Sequence, residues 1–203
     1  MKSAAKRKEP FKIPINIGTS SGSKSKLTLC TNELTISEKE LSEIVSSLVM
    51  EVSADLDADE IPIFIGILNG SFLFAADFIR KYTHNCEVSF VKLSSYKGTT
   101  STEVVNELIG INEDITGRTI VILEDIIDTG STLHKIYDCF KNKQVKQLKI
   151  ATLFFKPDVY KKELPIDYIG KSIEDKFIVG YGLDYNGLGR NLPAVYQLTT
   201  EAT

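Results

Sequence analysis

The sequence predicts an α/β protein with a mainly parallel, twisted sheet that is flanked by helices. Short, continuous apolar runs at residues 62–68 and 119–123 are typical of strands buried on both faces. Helical patterns alternate with these strands, which is the order that builds parallel sheets with helical crossovers. We therefore expect such a sheet, together with a small hood lobe from the C-terminal part of the chain.

The individual elements follow in order along the chain. Ser37 to Glu40 form a capping box ahead of apolar residues at helical spacing, which predicts a helix that ends near Asp55. Beyond the two apolar strands, the same reasoning predicts helices at 71–81 and 132–140, strands at 87–93 and 147–155, and short hood strands at 168–169, 177–179 and 194–198.

The chain is predicted to form one domain that follows a flexible N-terminal arm. Residues 1–26 are rich in Ser, Gly, Thr and Lys and are too poor in apolar side chains to support a core. We expect residues 27–203 to form the single domain, with its core at about 37–156. The hood is then formed mostly by 157–203, with part of 27–36.

A long polar stretch at residues 94–116 has no sustained apolar period. Compact domains rarely contain a loop of more than roughly 12 to 15 residues without a functional reason. We therefore expect this segment to be a mobile loop with a function.

The composition narrows the class of protein. Of the 203 residues, 24 are Lys or Arg and 27 are Asp or Glu, so the net charge of −3 disfavours nucleic-acid binding through bulk positive charge. No apolar run approaches the roughly 18 residues of a membrane helix. The basic N-terminus lacks an apolar segment, and the three cysteines are widely spaced, so we expect a cytoplasmic protein.

The most informative segment is residues 120–132, where an apolar strand runs into a carboxylate-rich turn and a helix start. Asp128 to Thr132 offer a glycine, hydroxyl groups and helix N-terminal N–H groups, which together suit a monophosphate. The preceding Glu124 and Asp125 suit the vicinal hydroxyls of a ribose, or a divalent cation beside them. A phosphate site next to a diol site predicts a ribose 5-phosphate ligand.

This segment resembles the phosphoribosyl-pyrophosphate motif of type I phosphoribosyltransferases, and residues 124–130 are similar to the hypoxanthine-guanine branch. The resemblance covers about residues 30–200. It implies the type I phosphoribosyltransferase fold and transfer of the 5-phosphoribosyl group from phosphoribosyl pyrophosphate to hypoxanthine or guanine, which gives IMP or GMP and pyrophosphate. It also implies a Mg²⁺ cofactor and a homodimer or homotetramer.

The resemblance further assigns roles to single residues. Asp128 is the candidate for proton exchange at the base nitrogen, and Asp128, Thr129, Gly130, Ser131 and Thr132 bind the 5-phosphate. Pyrophosphate contacts fall on Leu68, Asn69, Gly70 and Arg190, with Asn69 standing where many members have Lys or Arg. Ser95 and Tyr96 begin the flexible catalytic loop.

Purine and metal contacts are implied in the same way. Lys156 donates to the 6-oxo group, Phe177 stacks on the base, and Ile178 contacts the base through its backbone. Asp184 lies near the purine and a magnesium ion, for which Glu124 and Asp125 are the other candidate ligands.

Two alternatives stay open from the sequence. One is a nucleotide-responsive regulatory protein on the same fold that binds RNA, an option supported only by the basic residues at 2–12. The other is a phosphoribosyltransferase for xanthine or a pyrimidine, because the phosphate site carries no information about the base.

Overall fold

The structure, a computed structural model, describes residues 12–18, 24–95, 105–109, 111, 114–141 and 143–200. It divides into two compact units. The smaller unit combines Met1–Glu38 with Lys176–Thr203, and the larger unit is Lys39–Asp175.

The elements along the chain are β1 (Lys12–Gly18), β2 (Lys24–Ile36), α1 (Glu38–Asp55), β3 (Ile63–Ile67), α2 (Phe72–Lys81), β4 (Glu87–Ser95), β5 (Val105–Ile109), β6 (Thr119–Ile127), α3 (Ser131–Lys141), β7 (Gln147–Phe155), β8 (Tyr168–Ser172), β9 (Ile178–Val179) and β10 (Val195–Thr200).

The larger unit is built on a six-stranded sheet in the order β5-β4-β3-β6-β7-β8. Five of these strands run parallel, and β5 pairs antiparallel with β4 at one edge. Every residue of the central β3 is buried, and so are all but one of β6, which explains the continuous apolar runs of β3 and of residues 120–123 in β6. The predicted mainly parallel sheet with flanking helices is confirmed.

The helices cover this sheet with apolar side chains. Leu133, Ile136 and Phe140 of α3 belong to the same buried cluster as Ile63 of β3 and Ile120 of β6. Because the parallel strands end at a common edge, the loops that follow β3, β6 and β7 emerge on one side of the larger unit.

Strand β8 corrects one sequence expectation. Residues 168–169 were expected in the hood, yet Tyr168–Ser172 pairs parallel with β7 and extends the main sheet. The segment is short and contains Gly170, which weakens the strand pattern in the sequence. A Cβ atom on Gly170 would lie 2.7 Å from Ile44 Cγ2 and 2.9 Å from Leu48 Cδ1, so the glycine is what lets α1 pack closely on this strand.

Two further differences concern the end of β6 and the edge strand β5. Strand β6 continues to Ile127, so the acidic pair Glu124 and Asp125 lies in the strand and not in the turn after it. Strand β5 lies inside the segment expected to be a loop. The sequence does not predict this strand, because its pairing with β4 is a non-local interaction that leaves no apolar period.

The smaller unit contains an antiparallel sheet in the order β1-β2-β10-β9. Here the structure differs from the expected N-terminal arm, since Lys12–Gly18 forms a strand that pairs with Lys24–Cys30 of β2. Between β9 and β10 the chain makes tight turns closed by backbone hydrogen bonds between Gly180 and Leu183 and between Tyr185 and Leu188.

Within the described part of the chain, no helix has both the length and the apolar character needed to cross a membrane.

Candidate active site

A pocket of about 90 Å³ lies where β6 ends and α3 begins. It is lined by Glu124 and by eight consecutive residues, namely Ile126, Ile127, Asp128, Thr129, Gly130, Ser131, Thr132 and Leu133. The first N–H groups of α3 have no acceptor within the helix and carry the positive end of its dipole. The pocket therefore presents N–H groups and hydroxyls to an anion at the place expected for the 5-phosphate.

Gly130 shapes this loop. Its φ of +76° lies in the left-handed region, which residues with a Cβ rarely adopt. A Cβ atom there would also lie 2.5 Å from the Tyr160 ring and 3.1 Å from Lys162 Cγ. The loop is thus backed closely by the segment that follows β7, and the Thr129 and Ser131 hydroxyls lie 3.2 Å apart on it.

Two neighbouring carboxylates lie at the start of the site. Glu124 and Asp125 are each only 8% exposed, and Glu124 Oε2 is buried without a hydrogen-bond partner among the described residues. Burial, together with the Asp125 charge, raises the pKa of Glu124 well above its ordinary value of 4.5. Burying a carboxylate without a partner lowers the stability of the folded protein unless a cation or a hydroxyl group binds to it.

This pair makes the stability of the ligand-free protein depend on pH. The folded protein keeps the Glu124 proton at pH values where the unfolded chain loses it. The free energy of unfolding should therefore fall as the pH rises from about 4.5 toward the raised pKa, by at most about 1.4 kcal/mol per pH unit. Urea unfolding across this range, without metal, measures it.

Glu124→Gln should remove that contribution, because glutamine has no proton to lose. The exposed Glu163→Gln, in the same unit, is the control and should keep the wild-type pH dependence. A Glu124→Gln protein whose unfolding free energy falls with pH as steeply as that of the wild type would contradict the assignment.

The loop after β3 lies against one of these carboxylates, that of Asp125. The Leu68–Asn69 peptide bond is cis. Among the described residues, the Asn69 and Gly70 N–H groups donate no hydrogen bond to a backbone carbonyl. A Cβ atom on Gly70 would lie 1.9 Å from Asp125 Oδ2, so the loop backbone passes directly against the Asp125 carboxylate.

Gly70→Ala should therefore weaken binding of phosphoribosyl pyrophosphate. The methyl group must displace either the loop or the buried Asp125 carboxylate, at a stability cost of about 1–3 kcal/mol. Calorimetric titration and thermal unfolding measure the two effects. Gly117→Ala is the control, since its Cβ meets nothing within 4 Å and only its φ of +70° is strained. A Gly70→Ala protein that is destabilised but binds with wild-type affinity would contradict the role of this loop.

Lys156 lies directly after β7, beside Asp128. Its backbone N–H donates to the Ile127 carbonyl, and its side chain is only 8% exposed. The ammonium group donates a 2.9 Å hydrogen bond to Asp175 and lies 3.6 Å from Asp128 Oδ2. A buried ammonium with one strong partner has donors left for a ligand oxygen.

The remaining predicted site residues belong to the smaller unit. The Phe177 side chain is 52% exposed and makes an edge-to-face contact with Tyr185, with ring centroids 5.4 Å apart. Ile178 is buried in β9. The Asp184 carboxylate pairs with Arg190 and accepts a 2.6 Å hydrogen bond from the Gly187 N–H, so these turns hold both side chains in place.

The structure thus brings together the predicted residues of the larger unit. Three segments lie at the carboxyl ends of β3 and β6: the phosphate loop (residues 128–132), the acidic pair Glu124 and Asp125, and the loop at 68–70. Lys156 lies beside Asp128. Ser95 is the last residue of β4, and Tyr96 lies outside the described residues. Sequence reasoning missed Asp175, whose only signal was its place shortly before Phe177.

The chain is similar to known proteins in sequence and in fold. The phosphoribosyl transferase domain model matches residues 34–186. The hypoxanthine-guanine phosphoribosyltransferase of Streptococcus pneumoniae is 40% identical over 82% of this chain and 92% of its own length. The protein of the same name from Aquifex aeolicus is 34% identical over 82% of this chain and 94% of its own.

A solved structure is similar to this chain in fold as well as in sequence. The crystal structure of a hypoxanthine-guanine phosphoribosyltransferase from Bacillus anthracis, with a HEPES molecule in its active site, has a TM-score of 0.77 at 40% identity. The match covers 83% of this chain and 99% of that one. The type I phosphoribosyltransferase fold expected from the sequence is confirmed, and the chain belongs to the phosphoribosyl transferase family.

Proposed function

We propose that the protein is a purine salvage enzyme that transfers the 5-phosphoribosyl group from phosphoribosyl pyrophosphate to hypoxanthine or guanine. The products are IMP or GMP and pyrophosphate. The observation that carries the proposal is the pocket at the start of α3, where N–H and hydroxyl groups for a phosphate adjoin the buried carboxylate of Glu124. The names of the relatives support the same reaction.

Glu124 and Asp125 are the proposed ligands of Mg²⁺, with Asp184 as a further candidate. Among the described residues, no group of three or more metal-ligating side chains forms a complete cage. Mg²⁺ is usually held by one or two carboxylates plus substrate oxygens, and the unpartnered Glu124 Oε2 fits that arrangement. When bound, the ion supplies positive charge that stabilises the departing pyrophosphate.

The residues of the chain bind the 5-phosphate and the pyrophosphate of the substrate and accept the proton of the base. The N–H and hydroxyl groups of Asp128 to Thr132 hold the 5-phosphate, and the backbone N–H groups of Asn69 and Gly70 bind pyrophosphate. As the base nitrogen bonds to the anomeric carbon, the bond to pyrophosphate breaks and the base loses a proton. Asp128 is the proposed acceptor of that proton.

Lys156 is the proposed determinant of base specificity. Its buried ammonium can donate to a 6-oxo oxygen, whereas the 6-amino group of adenine offers only further N–H donors there. Stacking by Phe177, a backbone contact from Ile178 and a pyrophosphate contact from Arg190 stay predictions from the resemblance.

Assembly and location are part of the same proposal. We expect a homodimer or homotetramer, which light scattering after gel filtration tests directly. We also expect the enzyme to work in the cytoplasm, which microscopy of a tagged chain in its own cell tests.

The function is tested with a substrate panel. Hypoxanthine, guanine, xanthine, adenine and uracil are each incubated with phosphoribosyl pyrophosphate and Mg²⁺, and the nucleotide formed is measured. We expect turnover with hypoxanthine or guanine, none with adenine or uracil, and a loss of turnover when EDTA removes the metal. Turnover only with xanthine or uracil would overturn the assignment of hypoxanthine and guanine as substrates. No turnover with any base would overturn the proposed function as a whole.

A further inference from the structure

We infer that Asp175 is a positioning residue for the Lys156 ammonium, a role that rests on the function proposed above. The inference starts from where the chain brings Asp175. Strand β8 pairs with β7 up to Phe155 and Ser172, and the Ile173 N–H then donates a 2.8 Å hydrogen bond to the Phe155 carbonyl. The backbone therefore follows β7 to its end, which places Asp175 beside Lys156.

The contacts of Lys156 show a clear preference between two carboxylates. Asp175 Oδ1 accepts a hydrogen bond at 2.9 Å, whereas Asp128 Oδ2 at 3.6 Å is beyond hydrogen-bond range. Both carboxylates are about half exposed, while the Lys156 side chain is 8% exposed. Asp175 therefore sets where the buried ammonium lies.

This preference matters because Asp128 is the proposed acceptor of the base proton. If Asp175 were absent, the ammonium would lose its hydrogen-bonded partner, and Asp128 is the nearest remaining carboxylate. A direct pair between Lys156 and Asp128 would occupy both the donor for the 6-oxo group and the acceptor for the base proton. Asp175 thus keeps the two groups apart and available to the base.

Asp175→Ala tests the inference, with hypoxanthine and phosphoribosyl pyrophosphate as the substrates. The KM for hypoxanthine should rise about 10- to 100-fold and kcat should fall, while the KM for phosphoribosyl pyrophosphate stays within about threefold of the wild type. Asp175→Asn keeps an acceptor oxygen and should restore a large part of the hypoxanthine KM. Asp158→Ala, an exposed carboxylate two residues after Lys156, is the matched control.

The outcomes separate this inference from the proposed function. If the wild type itself turns over neither hypoxanthine nor guanine, the proposed function fails. If the wild type is active and Asp175→Ala is indistinguishable from it, the positioning role fails. A rise of both KM values together with a lower melting temperature, not rescued by Asp175→Asn, indicates a purely structural ion pair and overturns the inference. Should Asp175→Ala not fold, the same split is measured on Asp175→Asn, which should show a smaller rise in the hypoxanthine KM alone.

Discussion

Asp128→Asn should lower kcat by roughly 100- to 10,000-fold, because asparagine cannot accept the proton that the base loses. The affinity for phosphoribosyl pyrophosphate should change little. Asparagine has nearly the size of aspartate, and the N–H and hydroxyl groups from Thr129 to Thr132 that line the pocket are unaltered. Single-turnover kinetics and calorimetric titration of the same preparation measure the two quantities.

The control for this variant is Asp158→Asn, which removes an exposed carboxylate from the same unit and should keep wild-type kinetics. A loss of affinity as large as the loss of kcat would instead assign Asp128 to ligand binding. In that case the acceptor of the base proton would have to be sought elsewhere in the site.

The phosphate loop could be predicted because its determinants are contiguous. One stretch of chain contains the buried strand, the glycine with positive φ and the hydroxyls at the helix start, and local geometry alone brings them together. The central strands β3 and β6 were predictable for a similar reason. Burial on both faces makes β3 and residues 120–123 of β6 continuous apolar runs, which the sequence shows directly.

Features that depend on distant pairing could not be predicted in this way. The ion pair between Lys156 and Asp175 joins residues 19 positions apart through the register of β7 and β8, and β8 itself was assigned to the hood. The contact of Gly70 with Asp125 likewise needs β3 beside β6. The sequence shows which residue types are present, while the sheet order decides which of them meet.

Lys156→Met should reduce kcat/KM for hypoxanthine by about 100-fold or more. Methionine has a similar length and can fill the buried space, but it donates no hydrogen bond to the 6-oxo group. A hydrogen bond from a charged donor accounts for roughly 10- to 100-fold. The loss should exceed this because Asp175 and Asp128 are then left beside the base without their common cation.

The same substitution should narrow the preference for hypoxanthine over adenine, since the group that discriminates them is removed. Competition between the two bases at fixed phosphoribosyl pyrophosphate measures the ratio. Lys161→Met, five residues along and exposed, is the matched control and should keep the wild-type preference. If Lys156→Met lowers turnover but leaves the preference intact, base recognition depends on backbone groups, and Lys156 serves to hold the two carboxylates in place.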